Sequence, residues 1–275
     1  MQKIFLYILL GIIQGLTEFF PISSSGHLVL LQNIFGLKRM ISFDIVVHSA
    51  SFLVILLVFR ERIKFIIQDL IREAMNKKNT AGKEGELTGF KFLILLLFAI
   101  IPTVAVVLVF QSFLEGTFES TKFLWACFLI TGFILYATKD KAGQRIPKVL
   151  DSLIVGILQG VAVIPGISRS GITISACLCR RIDRNLAIDF SFLLGGLAIL
   201  SAIIYKFNDI LLIISDKDEF IPLTLGFLFA FISSYFALNV IIRHIRNAKL
   251  YRFAYYCWAM GIINFIIFIA SVSKI

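Results

Sequence analysis

Two apolar stretches, at about residues 4–34 and 150–179, are each interrupted by a cluster of Gly, Ser and Pro, and nothing else in the chain restricts its fold as much. Each half is too short to cross a bilayer alone. As helices, residues 4–19 reach about 24 Å and residues 25–35 less, whereas the hydrocarbon core is about 30 Å thick. A broken helix at membrane depth is tolerated only where protein or a wet cavity covers its backbone groups. Re-entrant helix–loop–helix hairpins meet that demand better than straight spans. Composition requires the membrane: 59% of the 275 residues are hydrophobic and only 16% charged, with a mean hydropathy of +0.92. A soluble fold of this size cannot hide so much apolar surface, because soluble domains split rather than enlarge one core. Cytosolic enzymes, disordered tails and secreted disulfide scaffolds are excluded.

Six further segments, near 42–59, 89–110, 122–138, 186–205, 220–242 and 252–272, are long enough to span as helices. The interrupted stretches also repeat each other at an offset of 145 residues. Gly11-Ile-Ile-Gln14-Gly15 aligns with Gly156-Ile-Leu-Gln159-Gly160, and Ile22-Ser23-Ser24-Ser25-Gly26 with Ile167-Ser168-Arg169-Ser170-Gly171. The register continues to Asp44 and Asp189. The expected fold is all-α: one membrane domain over 1–275, with six transmembrane helices and two re-entrant hairpins. The first repeat covers 1–138 with hairpin 4–34, the second 150–275 with hairpin 150–179. One hairpin and three spans per half require the second half to enter from the opposite face, an inverted-topology repeat.

The formal charge of +10 fits this topology and needs no anionic partner or nucleic acid. Loops 60–88, 139–149, 180–185 and 243–251, with Lys91 and Arg252 at their margins, collect 19 Lys+Arg. The other side, with both termini, loops 36–41, 111–121 and 206–219 and Lys122, holds seven. Basic loops face the cytoplasm, so both termini are expected outside. Residues 1–20 run into Glu18-Phe-Phe-Pro21 with no small-x-small cleavage site and are read as mature sequence. The four cysteines form no CxxC and suggest neither zinc nor a disulfide frame.

Ionisable residues at membrane depth signal function by default, and Glu18, His27, Asp44, His48, Arg169 and Asp189 qualify. Gln14 and Glu18, four apart, share a helix face and could hold a hard divalent cation. Alternatively Glu18 caps backbone donors or pairs with Arg169. Capping accounts for one serine of Ser23-Ser24-Ser25-Gly26-His27, and a hydroxyl beside a His matches a nucleophile with its base. A structural His27 is the competing reading. Arg169, inside Gly166-Ile-Ser168-Arg169-Ser170-Gly171, keeps its charge and demands an anion, for which its fork and the flanking hydroxyls form a cradle. The competitor is a structural Arg169–Glu18 pair. Asp44 and Asp189 are read as braces, His48 as a packing residue, and the Lys/Glu run 71–91 as a solvated loop.

Gln14-Gly-Leu-Thr-Glu18-Phe-Phe-Pro21-Ile-Ser-Ser-Ser-Gly26-His27 resembles the (E/Q)xxxE plus PxSSxGH signature of the bacterial undecaprenyl-diphosphatase family, the bacitracin-resistance proteins. Pro165-Gly-Ile-Ser-Arg169-Ser-Gly171 resembles that family's PGxSRSG motif. The resemblance spans essentially the whole chain. It implies a plasma-membrane enzyme that removes the terminal phosphate of undecaprenyl (C55) diphosphate, recycling the lipid carrier for cell-wall synthesis and conferring bacitracin resistance. Position by position, it implies Glu18 and Gln14 as ligands of Mg²⁺ or Ca²⁺ and Ser24 as nucleophile. His27 would be its base or the acid for the leaving group. Arg169, with Ser168, Ser170, Ser23 and Ser25, would hold the diphosphate. Gln14 stands where the family tolerates Glu or Gln, so more of the metal binding rests on Glu18.

A transporter or lipid flippase is the competing class, since inverted repeats, broken helices and midplane charges are its pattern. The Ser24/His27/Glu18 cluster beside Arg169 distinguishes the two, because a carrier needs no nucleophile. The pocket is expected to open toward the outer face. The sequence does not decide between a single chain and a homo-oligomer.

Overall fold

The computed structural model describes residues 2–36, 41–75, 87–118, 123–141 and 143–272. Most of the Lys/Glu-rich stretch read as a solvated loop, 76–86, lies outside them, as do parts of the expected loops 36–41 and 111–121. Within these residues twelve α-helices follow in order: α1 Gln2–Phe19, α2 Ser24–Ile34, α3 Ile41–Val58, α4 Arg60–Ala74, α5 Gly89–Phe118, α6 Leu124–Tyr136, α7 Val149–Val161, α8 Arg169–Cys179, α9 Arg184–Tyr205, α10 Phe207–Ser215, α11 Lys217–Arg246 and α12 Phe253–Val272. Among the described residues no strand forms, and one isolated bridge joins Arg145 and Ile182.

Both interruptions break the chain where the punctuation lies. Pro21 follows the end of α1, and Ser23 caps α2 by accepting from Gly26 N at 3.2 Å. After α7 the chain turns at Pro165-Gly166, and Ser168 caps α8 by accepting from Gly171 N at 3.1 Å. The first helix of each pair packs through small residues. A Cβ on Gly11 of α1 would lie 2.2 Å from Gly226 O of α11, and one on Gly156 of α7 would lie 2.1 Å from Ala99 O of α5. Helix backbones in a membrane approach this closely only where the side chains are this small. Thus α1 rests on α11 and α7 on α5.

Among the described residues five helical segments are long and apolar enough to cross a bilayer: Gln2–Phe19, Gly89–Val109, Arg184–Tyr205, Lys217–Arg246 and Leu250–Ala270. The pair Phe43–Val58 and Arg60–Ala74, bent by 69°, makes a sixth. Four elements differ from expectation. Gln2–Phe19, expected as half of a re-entrant hairpin too short to cross alone, is itself long and apolar enough to cross. Segment 122–138 forms α6, whose 13 residues span about 20 Å. Residues 60–74, expected as loop, form the amphipathic helix α4, which buries Ile66 and leaves Ile67 and Ile71 exposed. The expected loop 206–219 contains α10, with Leu211 and Leu212 exposed. In α4 and α10 polar residues interleaved with apolar ones hid a helix whose apolar side chains gather along one face.

The core lies where α1, α3, α5, α8, α9 and α11 converge. Phe19 meets Phe192 edge-on at 5.8 Å, and Phe92 meets Phe190 at 5.9 Å. Large apolar side chains such as Ile101, Leu108, Ile232 and Phe236 cover the outside, as a lipid-facing surface requires.

Candidate active site

The turns of the two broken stretches meet. Gly166 N donates to Ser23 Oγ at 3.0 Å, and Ser170 Oγ donates to Phe19 O at 3.4 Å. A Cβ on Gly26 would stand 3.0 Å from Gly166 Cα, so only the bare glycine lets the tips touch. Thr131 of α6 steadies the second tip: its hydroxyl donates to Gly166 O at 2.9 Å and accepts from Ser168 N at 3.2 Å.

A cavity of about 310 Å³ opens beside the joined tips. Its polar wall comprises Glu18, Ser23, Ser24, Ser25, Asp44, His48, Ser168 and Arg169, and the rest is largely apolar, with Val29, Ile45, Ala198 and Ile199. Glu18 organises the polar wall. Its Oε2 accepts from Ser24 Oγ at 2.7 Å and from Gln14 Nε2 at 2.9 Å, and His48 Nε2 lies 3.3 Å away. Its Oε1 pairs with Arg169 Nη2. Arg169 Nη1 donates to Gly195 O at 2.6 Å. The Glu18 side chain is 4% exposed and that of Arg169 22%, so the guanidinium retains an edge toward the cavity. Loss of either partner strands a buried charge, at about 3–5 kcal/mol. The arrangement is a hydroxyl on a carboxylate acceptor, beside a fixed cation and the amino ends of α2 and α8.

The family described as bacitracin resistance protein BacA matches residues 7–263. The chain belongs to that family. A curated relative from Halothermothrix orenii, named undecaprenyl-diphosphatase, is 38% identical over 271 residues, covering 97% of this chain and 98% of that protein. One of the same name from Carboxydothermus hydrogenoformans is 38% identical over 262 residues, covering 93% of this chain and 94% of the relative. Another so named, from Methanobrevibacter smithii, is 37% identical over 265 residues, covering 94% and 95% respectively.

In this BacA-family chain the cavity gathers Glu18, Ser23, Ser24, Ser25, Asp44, Ser168 and Arg169 from the sequence reading, and leaves others out. His27 is turned away from Ser24. Its Nδ1 donates to Ser23 O at 2.7 Å and its Nε2 lies 2.7 Å from the Tyr256 hydroxyl, so both ring nitrogens are engaged outside the cavity. Ser170 faces Phe19 O. Asp189 pairs with Arg62 at 3.3 Å, apart from the cavity, whereas its repeat counterpart Asp44 lines it and accepts from Gln32 Nε2 at 3.1 Å. His48, read as a packing residue, is the histidine that reaches Glu18. Its Nδ1 donates to Asp44 O at 2.6 Å, which aims Nε2 at the carboxylate. The signal was there, since Asp44 and His48 are four apart on one helix face.

Among the described residues no group of three or more His, Cys, Asp or Glu could hold a metal ion by itself. Gln14 Oε1 is nevertheless buried without a partner next to Glu18. An amide oxygen and a carboxylate are donor types that a hard cation takes, but here Gln14 turns its Nε2 to Glu18, whose two oxygens also contact Ser24, His48 and Arg169, and Gln14 does not line the cavity.

Proposed function

We propose that this chain is an undecaprenyl-diphosphatase: it hydrolyses undecaprenyl diphosphate to undecaprenyl phosphate and inorganic phosphate, which fits the bacitracin resistance in the family's description. The observation that carries the mechanism is the bond from Ser24 Oγ to Glu18 Oε2 beside Arg169. Glu18 accepts the hydroxyl proton as Ser24 Oγ attacks the terminal phosphorus. The P–O bond to the inner phosphate breaks, undecaprenyl phosphate leaves, and water then hydrolyses the phosphoserine. Arg169 and the amides at the starts of α2 and α8 neutralise charge on the transferring oxygens, where phosphoryl transfer gains most. For Glu18 and Gln14 to hold Mg²⁺ or Ca²⁺, Gln14 would have to turn its oxygen to where its Nε2 now lies; such an ion would supply further neutralisation of phosphate oxygens. The role of Ser23, Ser25 and Ser168 is to hold the tips and offer hydroxyls to the diphosphate.

The apolar wall of Leu28, Val29, Ile45, Ala198, Ile199 and Ala202 suits the first isoprene units. The cavity is lined by the starts of α2 and α3 and by the last turns of α9, and α9 finishes and α3 begins on the side poor in basic loops. The loop charges therefore favour a pocket opening outward and both termini outside. The exchanged packing, α1 on α11 and α7 on α5, supports the inverted repeat. A carrier would have no use for a serine hydroxyl held on a carboxylate.

The test is phosphate release by purified protein from farnesyl or undecaprenyl diphosphate, with and without chelator. An inactive parent would overturn the reading, and Ser24→Ala and Arg169→Ala proteins as fast as the parent would overturn the site assigned to it.

A further inference from the structure

The two tips solve the same turn differently. Ser23 has φ 70° and ψ 97°, a left-handed backbone that residues with a Cβ seldom adopt, and it directly precedes Ser24. Its repeat counterpart Ser168 has φ −79° and ψ 117°, and in that tip the positive φ, 92°, falls on Gly166. Both serines cap their helices with the same kind of bond, so capping alone does not require the left-handed backbone. Two differences bear on the backbone: Pro21 stands where the second tip has Gly166, so the positive φ cannot fall there, and His27, which can hold the Ser23 carbonyl, stands where it has Ile172.

A carbonyl oxygen only accepts, so the 2.7 Å contact from His27 to Ser23 O places a proton on Nδ1. Nε2 of the neutral ring is then an acceptor, and the Tyr256 hydroxyl donates to it at 2.7 Å. The two rings stack at 5.8 Å and 15°, and Phe128 closes the imidazole edge-on at 5.4 Å. The same helix touches the tip twice more: Cys257 Sγ lies 3.6 Å from Pro21 O, and Phe253 lies 5.6 Å from Phe20.

We propose that Tyr256 is a positioning residue for the reaction at Ser24, acting through His27 to hold Ser23 in its left-handed conformation. The inference rests on the phosphatase reading and deepens the same site. By donating to Nε2, Tyr256 keeps the proton on Nδ1, and Nδ1 clamps the Ser23 carbonyl. If the clamp slackens, Ser23 relaxes toward an ordinary φ, and the first turn of α2 carries Ser24 Oγ away from Glu18.

Tyr256→Phe removes the hydroxyl and keeps the stacked ring. The expected result is a kcat lower by about tenfold, the scale seen when a partner that orients a functional imidazole is removed. KM should stay within about twofold and the melting temperature unchanged, because substrate contacts and packing are untouched. Ser23→Gly relieves the backbone strain, so adding Tyr256→Phe to Ser23→Gly should lower kcat by a smaller factor than in the parent. Independently of activity, ¹⁵N-histidine NMR, with His27 assigned through His27→Gln, should show the Nδ1–H tautomer in the parent and lose it in Tyr256→Phe. An unchanged kcat in Tyr256→Phe, a change confined to KM, or fully multiplicative losses in the double variant would overturn the proposal. A parent that releases no phosphate defeats the phosphatase reading instead, and the imidazole spectrum then decides the Tyr256–His27 coupling: an unaltered tautomer in Tyr256→Phe overturns it.

Discussion

Ser24 Oγ lies 2.7 Å from Glu18 Oε2, while Arg169 holds the other oxygen of the same carboxylate. A hydroxyl, its proton acceptor and a cation that cannot discharge therefore converge on one buried group. The Arg169–Glu18 pair, which on sequence grounds competed with anion binding, is formed. The pair fixes the guanidinium while leaving part of its fork facing the cavity.

Removing the Ser24 hydroxyl should abolish chemistry and spare binding. Ser24→Ala is expected to lower phosphate release by about 10³-fold or more, the scale for loss of a nucleophile. Binding of a non-hydrolysable diphosphate analogue should change by less than about threefold. Single-turnover assays beside equilibrium binding separate the two, and a Ser24→Ala protein with parental turnover would assign the attack to water.

Glu18→Gln and Arg169→Lys should fail differently. Glu18→Gln keeps the shape but leaves Arg169 facing a neutral amide, so a stability loss of about 3–5 kcal/mol is expected together with the loss of turnover. Arg169→Lys keeps the charge and loses the planar fork, so turnover should fall by about 10²-fold with a smaller stability change. Denaturant unfolding in detergent and initial rates, measured on the same preparations, check both.

Much of this site is legible in local sequence because its tips are built locally. Pro21 stops α1, Ser23 and Ser168 cap the helices that follow, and the shared register of the two clusters already equates those caps. Glu18 and Arg169 stand out because nothing else justifies their charge at membrane depth. What a single strand of sequence does not carry is direction across helices. His27 lies three residues from Ser24 yet turns toward Tyr256 on α12, whereas His48 on α3 reaches Glu18. Both orientations are set by helices packed from distant parts of the chain. Helices α4 and α10 were obscured for a related reason, since charged residues interleaved with apolar ones read as loop until a one-sided apolar face is recognised.

Asp44 and Asp189 occupy equivalent repeat positions but should not behave alike. Asp44 presents its carboxylate to the cavity and accepts from Gln32 Nε2 at 3.1 Å. Asp189 pairs with Arg62, whose guanidinium lies over the Phe92 ring at 4.4 Å, away from the reacting groups. Asp44→Asn should lower kcat/KM by about tenfold, a loss on the scale of one hydrogen bond to a charged group. Asp189→Asn should leave kcat/KM within about twofold and appear mainly in the melting temperature, by no more than about 1 kcal/mol for a partly exposed pair. Equal catalytic losses in the two proteins would contradict this division.

Neighbouring glycines on α9 offer a steric test of how tightly Arg169 is held. A Cβ on Gly195 would stand 2.9 Å from Arg169 Nη1 and 3.1 Å from its Cζ, whereas one on Gly196 would meet Ile55 Cγ2 at an ordinary 3.4 Å. The guanidinium is pinned by Glu18 and by the Gly195 carbonyl, so in Gly195→Ala it must shift or lose one of those bonds. Displacement of a planar fork by a few tenths of an ångström spoils bidentate contact with phosphate, and kcat/KM should fall by at least about tenfold. Gly196→Ala meets no such obstacle and gains helix propensity worth up to about 1 kcal/mol, so it should melt no lower than the parent and turn over at the parental rate. Rates and melting curves for the pair decide the matter: a fully active Gly195→Ala protein would mean that Arg169 is not held in place as tightly as its contacts indicate.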